Sequence, residues 1–90
     1  MKDSGFVDPD AIKTSLRSYI TASLLPAAGL DSFDDGDSFL EKGIIDSTGV
    51  LELLEFIESS FRIKVEDEEV VPANLDSLEN LSAFIWSKVR

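Results

Sequence analysis

The chain contains no cysteine and no histidine among its 90 residues. Without cysteine it can form no disulfide and offers no thiolate nucleophile, and a cytoplasmic location is the default expectation. Without histidine it lacks the side chain that most often serves as a general base or a metal ligand near neutral pH. Carboxylates could still act as general acids or bases, but the sequence does not predict two of them facing each other across an apolar pocket. We therefore expect a protein that is not an enzyme and binds no metal.

Basic residues are scarce, with 8 lysines and arginines against 18 aspartates and glutamates, for a formal net charge of −10. This charge repels nucleic acid and anionic membrane surfaces and attracts basic protein surfaces. Long apolar runs are also missing: none approaches the roughly 18 residues that indicate a membrane span. The first residues lack the apolar stretch of a secretory signal. The expected partners are therefore basic protein surfaces, with no nucleic acid and no membrane span.

Apolar residues make up 43% of the chain, and they recur at the three- and four-residue spacing that is typical of amphipathic helices. This spacing predicts three long helices and one short one. The first runs from Pro9 to a residue between 24 and 28, and the second from Ser47 to about Ser60. A short helical turn follows over Asp67–Val71, ended by Pro72, and the last helix runs through Val89. No strand pattern is present. The sequence therefore predicts an all-α protein, a small four-helix bundle. We expect a monomeric single domain over 1–90, with a flexible N-terminus at 1–7.

Helix caps and an acidic loop complete this organisation. Asp8 is predicted to cap the first helix, and Asp76 with Glu79 to form a capping box at the last. The loop over 31–42 spaces its aspartates as a calcium-binding EF-hand does, but Phe33 and Lys42 stand at two ligand positions, so no calcium site is predicted. Apolar residues within and after the loop are expected to anchor it across the core: Phe33, Phe39, Leu40, Ile44 and Ile45.

The segment 43–50 places a serine at the start of the acidic second helix. Helix N-termini favour anions such as phosphate, so this position suits a serine that carries a phosphate-linked group. Two roles are open for Ser47. It can be the N-cap, which is a common use of serine, or Asp46 can be the cap and leave Ser47 in the first turn. Taken alone, the serine favours capping.

The second helix carries an acidic stripe directly after this serine. Thr48, Glu52 and Glu55 share an outward face, and Glu58 continues the acidic stripe along the helix. Charges in this position usually do no more than keep an exposed helix face in contact with water. Their position, however, would let a partner that grips this helix reach Ser47. One hypothesis is therefore an unmodified acidic adaptor that docks basic protein partners.

The region from Phe39 to Ile85 resembles the acyl carrier protein family, whose signature is Asp-Ser-Leu or a close variant at the start of the second helix. Asp46-Ser47 matches that pair, and the preceding Gly-Ile-Ile and the acidic run 66–69 also fall where the family carries similar residues. The resemblance implies that Ser47 receives 4′-phosphopantetheine from coenzyme A through a phosphopantetheinyl transferase. The thiol of this cofactor would carry an acyl or aminoacyl group as a thioester, loaded by a ligase or synthase.

The resemblance further implies that partner enzymes dock on Thr48, Glu52, Glu55 and Glu58 through transient contacts from basic patches. The chain departs from the family at Thr48, where an apolar residue is usual, and at Gly49, which replaces a frequent acidic residue. We therefore expect a specialised stand-alone carrier of fatty acid or secondary metabolite biosynthesis, and not a housekeeping one. Its cargo is left open between a fatty acyl chain, a polyketide intermediate and an amino acid.

Overall fold

The structure, a computed structural model, describes residues 8–89, with Ser47 described by its backbone alone. In this range the chain forms helices and turns, without a strand. The helical segments are α1 (Pro9–Tyr19), a π-helical segment (Ile20–Leu24), α2 (Leu25–Ala28), α3 (Ser47–Phe61), a 3₁₀ turn (Asp67–Glu69), α4 (Pro72–Leu75) and α5 (Leu78–Val89). The prediction of a small all-α bundle is confirmed. The expected flexible segment 1–7 lies outside the described residues.

The first three segments form one helical run, as the sequence predicts. The Asp8 carboxylate caps it by accepting a hydrogen bond from the Ala11 N–H at 2.7 Å, and Pro9 is the first helical residue. At the other end Gly29 adopts a left-handed conformation with φ 74°. Glycine has no Cβ to clash in this conformation, so it stops the helix with little strain.

The π-helical segment follows from a proline inside this run. Pro26 has no N–H to donate to the preceding turn. Just before it the helix widens, and the Leu25 N–H donates to the carbonyl of Ile20, five residues earlier. Such widening keeps the backbone hydrogen-bonded next to a proline. Leu24, the last residue of the π segment, is buried and lies close to Gly49 in the first turn of α3.

A single hydrophobic core joins the three long helical stretches. The α1 helix packs against α5, and α3 contributes Leu53 and Ile57, which are almost completely buried. Four of the five predicted loop anchors are confirmed as buried: Phe33, Phe39, Ile44 and Ile45. The prediction for Leu40 is wrong, because its side chain is 56% exposed. Its neighbour Phe39 takes the core position, and a tight turn follows.

Two predicted boundaries after α3 are also wrong. Pro72 begins α4 instead of ending the turn before it, since the first helical position needs no N–H. The predicted capping box at Asp76 and Glu79 does not form. Ser77 takes the capping position, and its Oγ accepts a hydrogen bond from the Asn80 N–H at 3.0 Å. The Asp76 carboxylate is instead used by the acidic loop.

Ion pairs fasten the acidic loop to α1. The Asp35 carboxylate pairs with Arg17 and, at 3.2 Å, with the Lys13 ammonium. The Arg17 guanidinium also donates to the Phe33 carbonyl at 2.9 Å and lies 4.4 Å from the centre of the Phe33 ring. Hydrogen bonds from Arg17, and then from Lys13, hold the pKa of the Asp35 carboxyl below its usual value. This loop carboxylate is therefore engaged by cationic side chains of the chain itself.

Candidate functional site

The α3 helix begins at Ser47 and is capped by Asp46. The Asp46 backbone is extended, and its Oδ1 accepts a hydrogen bond from the Gly49 N–H at 2.7 Å. The Val50 N–H donates to the Asp46 carbonyl at 2.9 Å, which closes the first turn. Of the two roles left open by the sequence, the cap therefore falls to Asp46, and the interpretation of Ser47 as the N-cap is wrong. The Ser47 side chain lies outside the described atoms.

The electrostatic character of this N-terminus follows from its length and its cap. The α3 helix is 15 residues long, so its peptide dipoles add to a partial positive charge at the first turn. The first-turn N–H groups of Ser47 and Thr48 have no acceptor within the helix, whereas that of Gly49 is used by the cap. The backbone at position 47 is therefore a favourable place for an anionic group.

Position 47 lies at a boundary between two faces of α3. Because an α-helix advances by about 100° per residue, Val50 and Leu54 flank it on one side and Leu51 on the other. Val50 and Leu54 are partly buried against the core, whereas Leu51 is 64% exposed. Sequence reasoning missed Leu51 as a site residue. The sequence does indicate its role, because Leu51 lies one helical turn after Ser47 and does not belong to the inner apolar stripe of the helix.

An apolar cavity of about 130 Å³ opens on the buried side of this boundary. Ile45 and Val50, which bracket Ser47 in the sequence, both line it. Its other lining residues come from the loop, α3 and the segment around α4: Phe39, Leu40, Leu53, Val70, Val71, Pro72, Leu75 and Asp76. Among them, the side chains of Leu40 and Val71 are 56% and 39% exposed. The cavity therefore has an apolar interior and a partly apolar rim.

The predicted docking residues divide into two groups. Thr48, Glu52 and Glu55 are exposed and share one face of α3. Glu58 is only partly exposed, and its Oε2 accepts a hydrogen bond from the Val65 N–H at 2.9 Å. The structure thus groups the first three side chains, whereas the Glu58 carboxylate is bound to the extended link that follows α3.

The acidic face of α3 ends against α1, where an aromatic pair joins the two helices. The Tyr19 and Phe56 rings are stacked, with centroids 4.2 Å apart and planes inclined by 11°. Both side chains are half-buried. Burial, followed by the negative charges of Glu52 and Glu55, raises the pKa of the Tyr19 hydroxyl. The two carboxylates therefore act electrostatically on the tyrosine across the helix boundary.

The chain matches no protein-family model and no curated protein sequence. Among residues 8–89, none of the helices combines the length and the hydropathy that a membrane span requires. The candidate site has three features: a helix start capped by Asp46, an apolar cavity on one side of position 47, and an exposed acidic face on the other.

Proposed function

We propose that the chain is an acyl carrier protein, with a bundle of that family's type and 4′-phosphopantetheine attached to Ser47. The observation that carries this proposal is the capping of α3 by Asp46. Because the cap is supplied by the preceding aspartate, a serine at the first helical position is not needed for it. The structural reason that most often explains a serine at a helix start is therefore absent.

The surroundings of position 47 fit a phosphate-linked arm. The first-turn N–H groups, which have no acceptor within the helix, and the dipole of α3 favour a phosphate on Ser47. When bound, the group supplies a thiol for thioester formation, which the chain, lacking cysteine, does not itself have. The adjacent cavity, with Ile45 and Val50 in its wall, offers an apolar cargo shelter from water. These features support a carrier of acyl groups more than a carrier of amino acids.

The exposed face of α3 provides a docking surface for the enzymes that load and unload the carrier. Thr48, Glu52 and Glu55 present negative charge and a hydroxyl to basic patches on a phosphopantetheinyl transferase and on a ligase or synthase. Such charges accelerate encounter without requiring a permanent complex. Leu51 adds an exposed apolar contact one turn after Ser47, which compensates for the polar residue at position 48. We propose a monomeric, cytoplasmic carrier of specialised rather than housekeeping type.

Co-expression of the full chain with a broad-specificity phosphopantetheinyl transferase, followed by intact mass measurement, tests the proposal. We expect wild type to gain the mass of one phosphopantetheine group and Ser47→Ala to gain none. Ser59→Ala, which removes an exposed serine from the same helix, is the matched control and should be modified like wild type. Wild type without added mass, or equal modification of Ser47→Ala, would contradict the proposal. That result would leave the acidic adaptor, whose partner binding survives Ser47→Ala.

A further inference from the structure

The stacked pair Tyr19 and Phe56 lies beside the proposed docking residues Glu52 and Glu55, but the proposed function gives the two rings no role. An open depression beside the pair is lined by both rings and by Glu52 and Glu55, with small hydroxyl side chains completing its edge: Ser23, Ser59 and Ser60. A second depression on the α1 side of the same rings is lined mainly by small residues. The half-buried aromatic pair therefore stands between two open hollows, with carboxylates on one side only.

Within the part of the chain that the structure describes, no ion pair neutralises the two carboxylates of this surface. The ion pairs formed within residues 8–89 use Asp35, Asp37 and Glu69, and neither Glu52 nor Glu55 takes part in them. Both glutamates are exposed, and both act electrostatically on Tyr19. Negative charge and an aromatic surface thus coincide at one place, and a cation is the ligand that satisfies both.

We propose that this surface, the aromatic–acidic shelf formed by Tyr19, Glu52, Glu55 and Phe56, binds an arginine side chain of a partner protein. A guanidinium group is planar, so it can lie against an aromatic ring and donate N–H groups to carboxylates at the same time. A lysine ammonium offers a compact, strongly hydrated charge, which gains less from the ring. The chemistry of the shelf therefore selects arginine over lysine.

The shelf extends the docking surface from α3 onto α1, so it gives a partner a contact on two helices. It rests on the docking role proposed for Glu52 and Glu55, but it does not require modification of Ser47. Unmodified protein is therefore sufficient to test the shelf, and the result does not depend on the mass measurement that tests modification of Ser47. If Ser47 is modified but the peptides do not bind the shelf, only the shelf proposal fails. If the peptides bind the shelf but Ser47 is not modified, only the carrier proposal fails.

The test is a titration of the unmodified full chain, followed by NMR, with two synthetic peptides. These are acetyl-Ala-Arg-Ala-Gly-Arg-Ala-amide and its twin with both arginines replaced by lysine, at about 0.01 M ionic strength, where screening is weak. We expect the ring resonances of Tyr19 and Phe56 to shift, and the arginine peptide to bind about threefold more tightly than the lysine peptide. Tyr19→Leu, which removes one of the two rings, should reduce this preference, whereas Tyr19→Phe should retain it.

A charge-matched pair of variants separates the shelf from the general acidity of the chain. Glu52→Gln with Glu55→Gln should weaken both peptides at least about threefold more than Asp67→Asn with Glu68→Gln, which removes the same charge from exposed positions elsewhere. Equal affinity of wild type for the two peptides, unmoved ring resonances, or equal weakening by the two variant pairs would overturn the proposal. The comparison of peptides on wild type stands even if Tyr19→Leu fails to fold.

Discussion

The Ser38 hydroxyl donates a hydrogen bond to the Asp76 carboxylate at 2.6 Å, which ties the loop before α3 to the turn between α4 and α5. The same carboxylate accepts the Leu40 N–H at 3.0 Å, and the Asp76 carbonyl accepts the Phe39 N–H at 2.7 Å. One residue thus fixes three consecutive residues of the loop. Because Phe39 and Leu40 line the cavity beside α3, Asp76 also shapes that cavity.

Removal of the Asp76 carboxylate should therefore be costly. Asp76→Ala leaves the Ser38 hydroxyl and the Leu40 N–H without their acceptor, and we expect it to lower the free energy of unfolding by about 2 kcal/mol. Asp76→Asn keeps one acceptor oxygen and should cost less. Urea unfolding followed by circular dichroism measures both. Asp67→Ala, at an exposed aspartate, is the control, and an equally small effect of both alanine variants would contradict the role of Asp76.

Two glycines near the start of α3 should respond to alanine in opposite directions. Gly49 is helical and buried, and a Cβ added there would lie 3.4 Å from Asp46 Oδ1 and 3.8 Å from Leu24 Cδ2, at ordinary contact distance. Gly49→Ala should therefore stabilise the fold by about 0.5–1 kcal/mol. Gly43 has φ 71°, which an L-residue adopts with strain, so Gly43→Ala should destabilise by about 1 kcal/mol. Thermal unfolding checks both, and a Gly49→Ala variant less stable than wild type would contradict this packing.

The features that could be predicted from the sequence depend on neighbours along the chain. The Asp8 cap spans three residues, and the buried positions of α3 repeat at helical spacing, so local patterns reveal both. The bond between Ser38 and Asp76 joins residues 38 positions apart, and no periodicity encodes it. Asp76 precedes a residue that also caps well, and sequence reasoning assigned the cap to Asp76 instead of Ser77. The cavity was missed because its walls come from separate segments that meet only in the fold.

The ion pair that holds the acidic loop should make stability depend on pH at the acid end. Hydrogen bonds from Arg17 and Lys13 lower the pKa of Asp35 from its ordinary value of 3.8 in the native state. Between the two pKa values the unfolded chain binds more protons, so the contribution of Asp35 is complete above pH 3.8 and is lost as the pH falls through the native pKa. Asp35→Asn should thus be less stable than wild type at pH 7, and the difference should disappear in acid.

Urea midpoints of wild type and Asp35→Asn across the acid range measure this difference directly. Asp34→Asn is the matched control, because it removes the same charge from an exposed position in the same loop. If Asp34→Asn reproduced the behaviour of Asp35→Asn, net charge and not the bonds to α1 would be responsible.

The glutamates of α3 should separate into docking and structural residues. Glu52 and Glu55 are exposed, so the variant with both changed to lysine should keep its helical circular dichroism signal. On the proposed function, the same variant should be loaded with phosphopantetheine about tenfold more slowly at low salt, because electrostatic steering is lost. Glu58→Ala removes the acceptor of the Val65 N–H, so it should lower the free energy of unfolding by about 1 kcal/mol.

Salt distinguishes the two effects. Added salt screens long-range attraction, so it should slow the loading of wild type toward that of the Glu52→Lys, Glu55→Lys variant. The bond from Val65 to Glu58 is a short, part-buried contact, so the stability lost in Glu58→Ala should change little with salt. Loading of Glu58→Ala should also stay within about twofold of wild type, since the partner-facing charges remain. A slower Glu58→Ala and an unaffected Glu52→Lys, Glu55→Lys variant would instead place the docking contact at the end of α3.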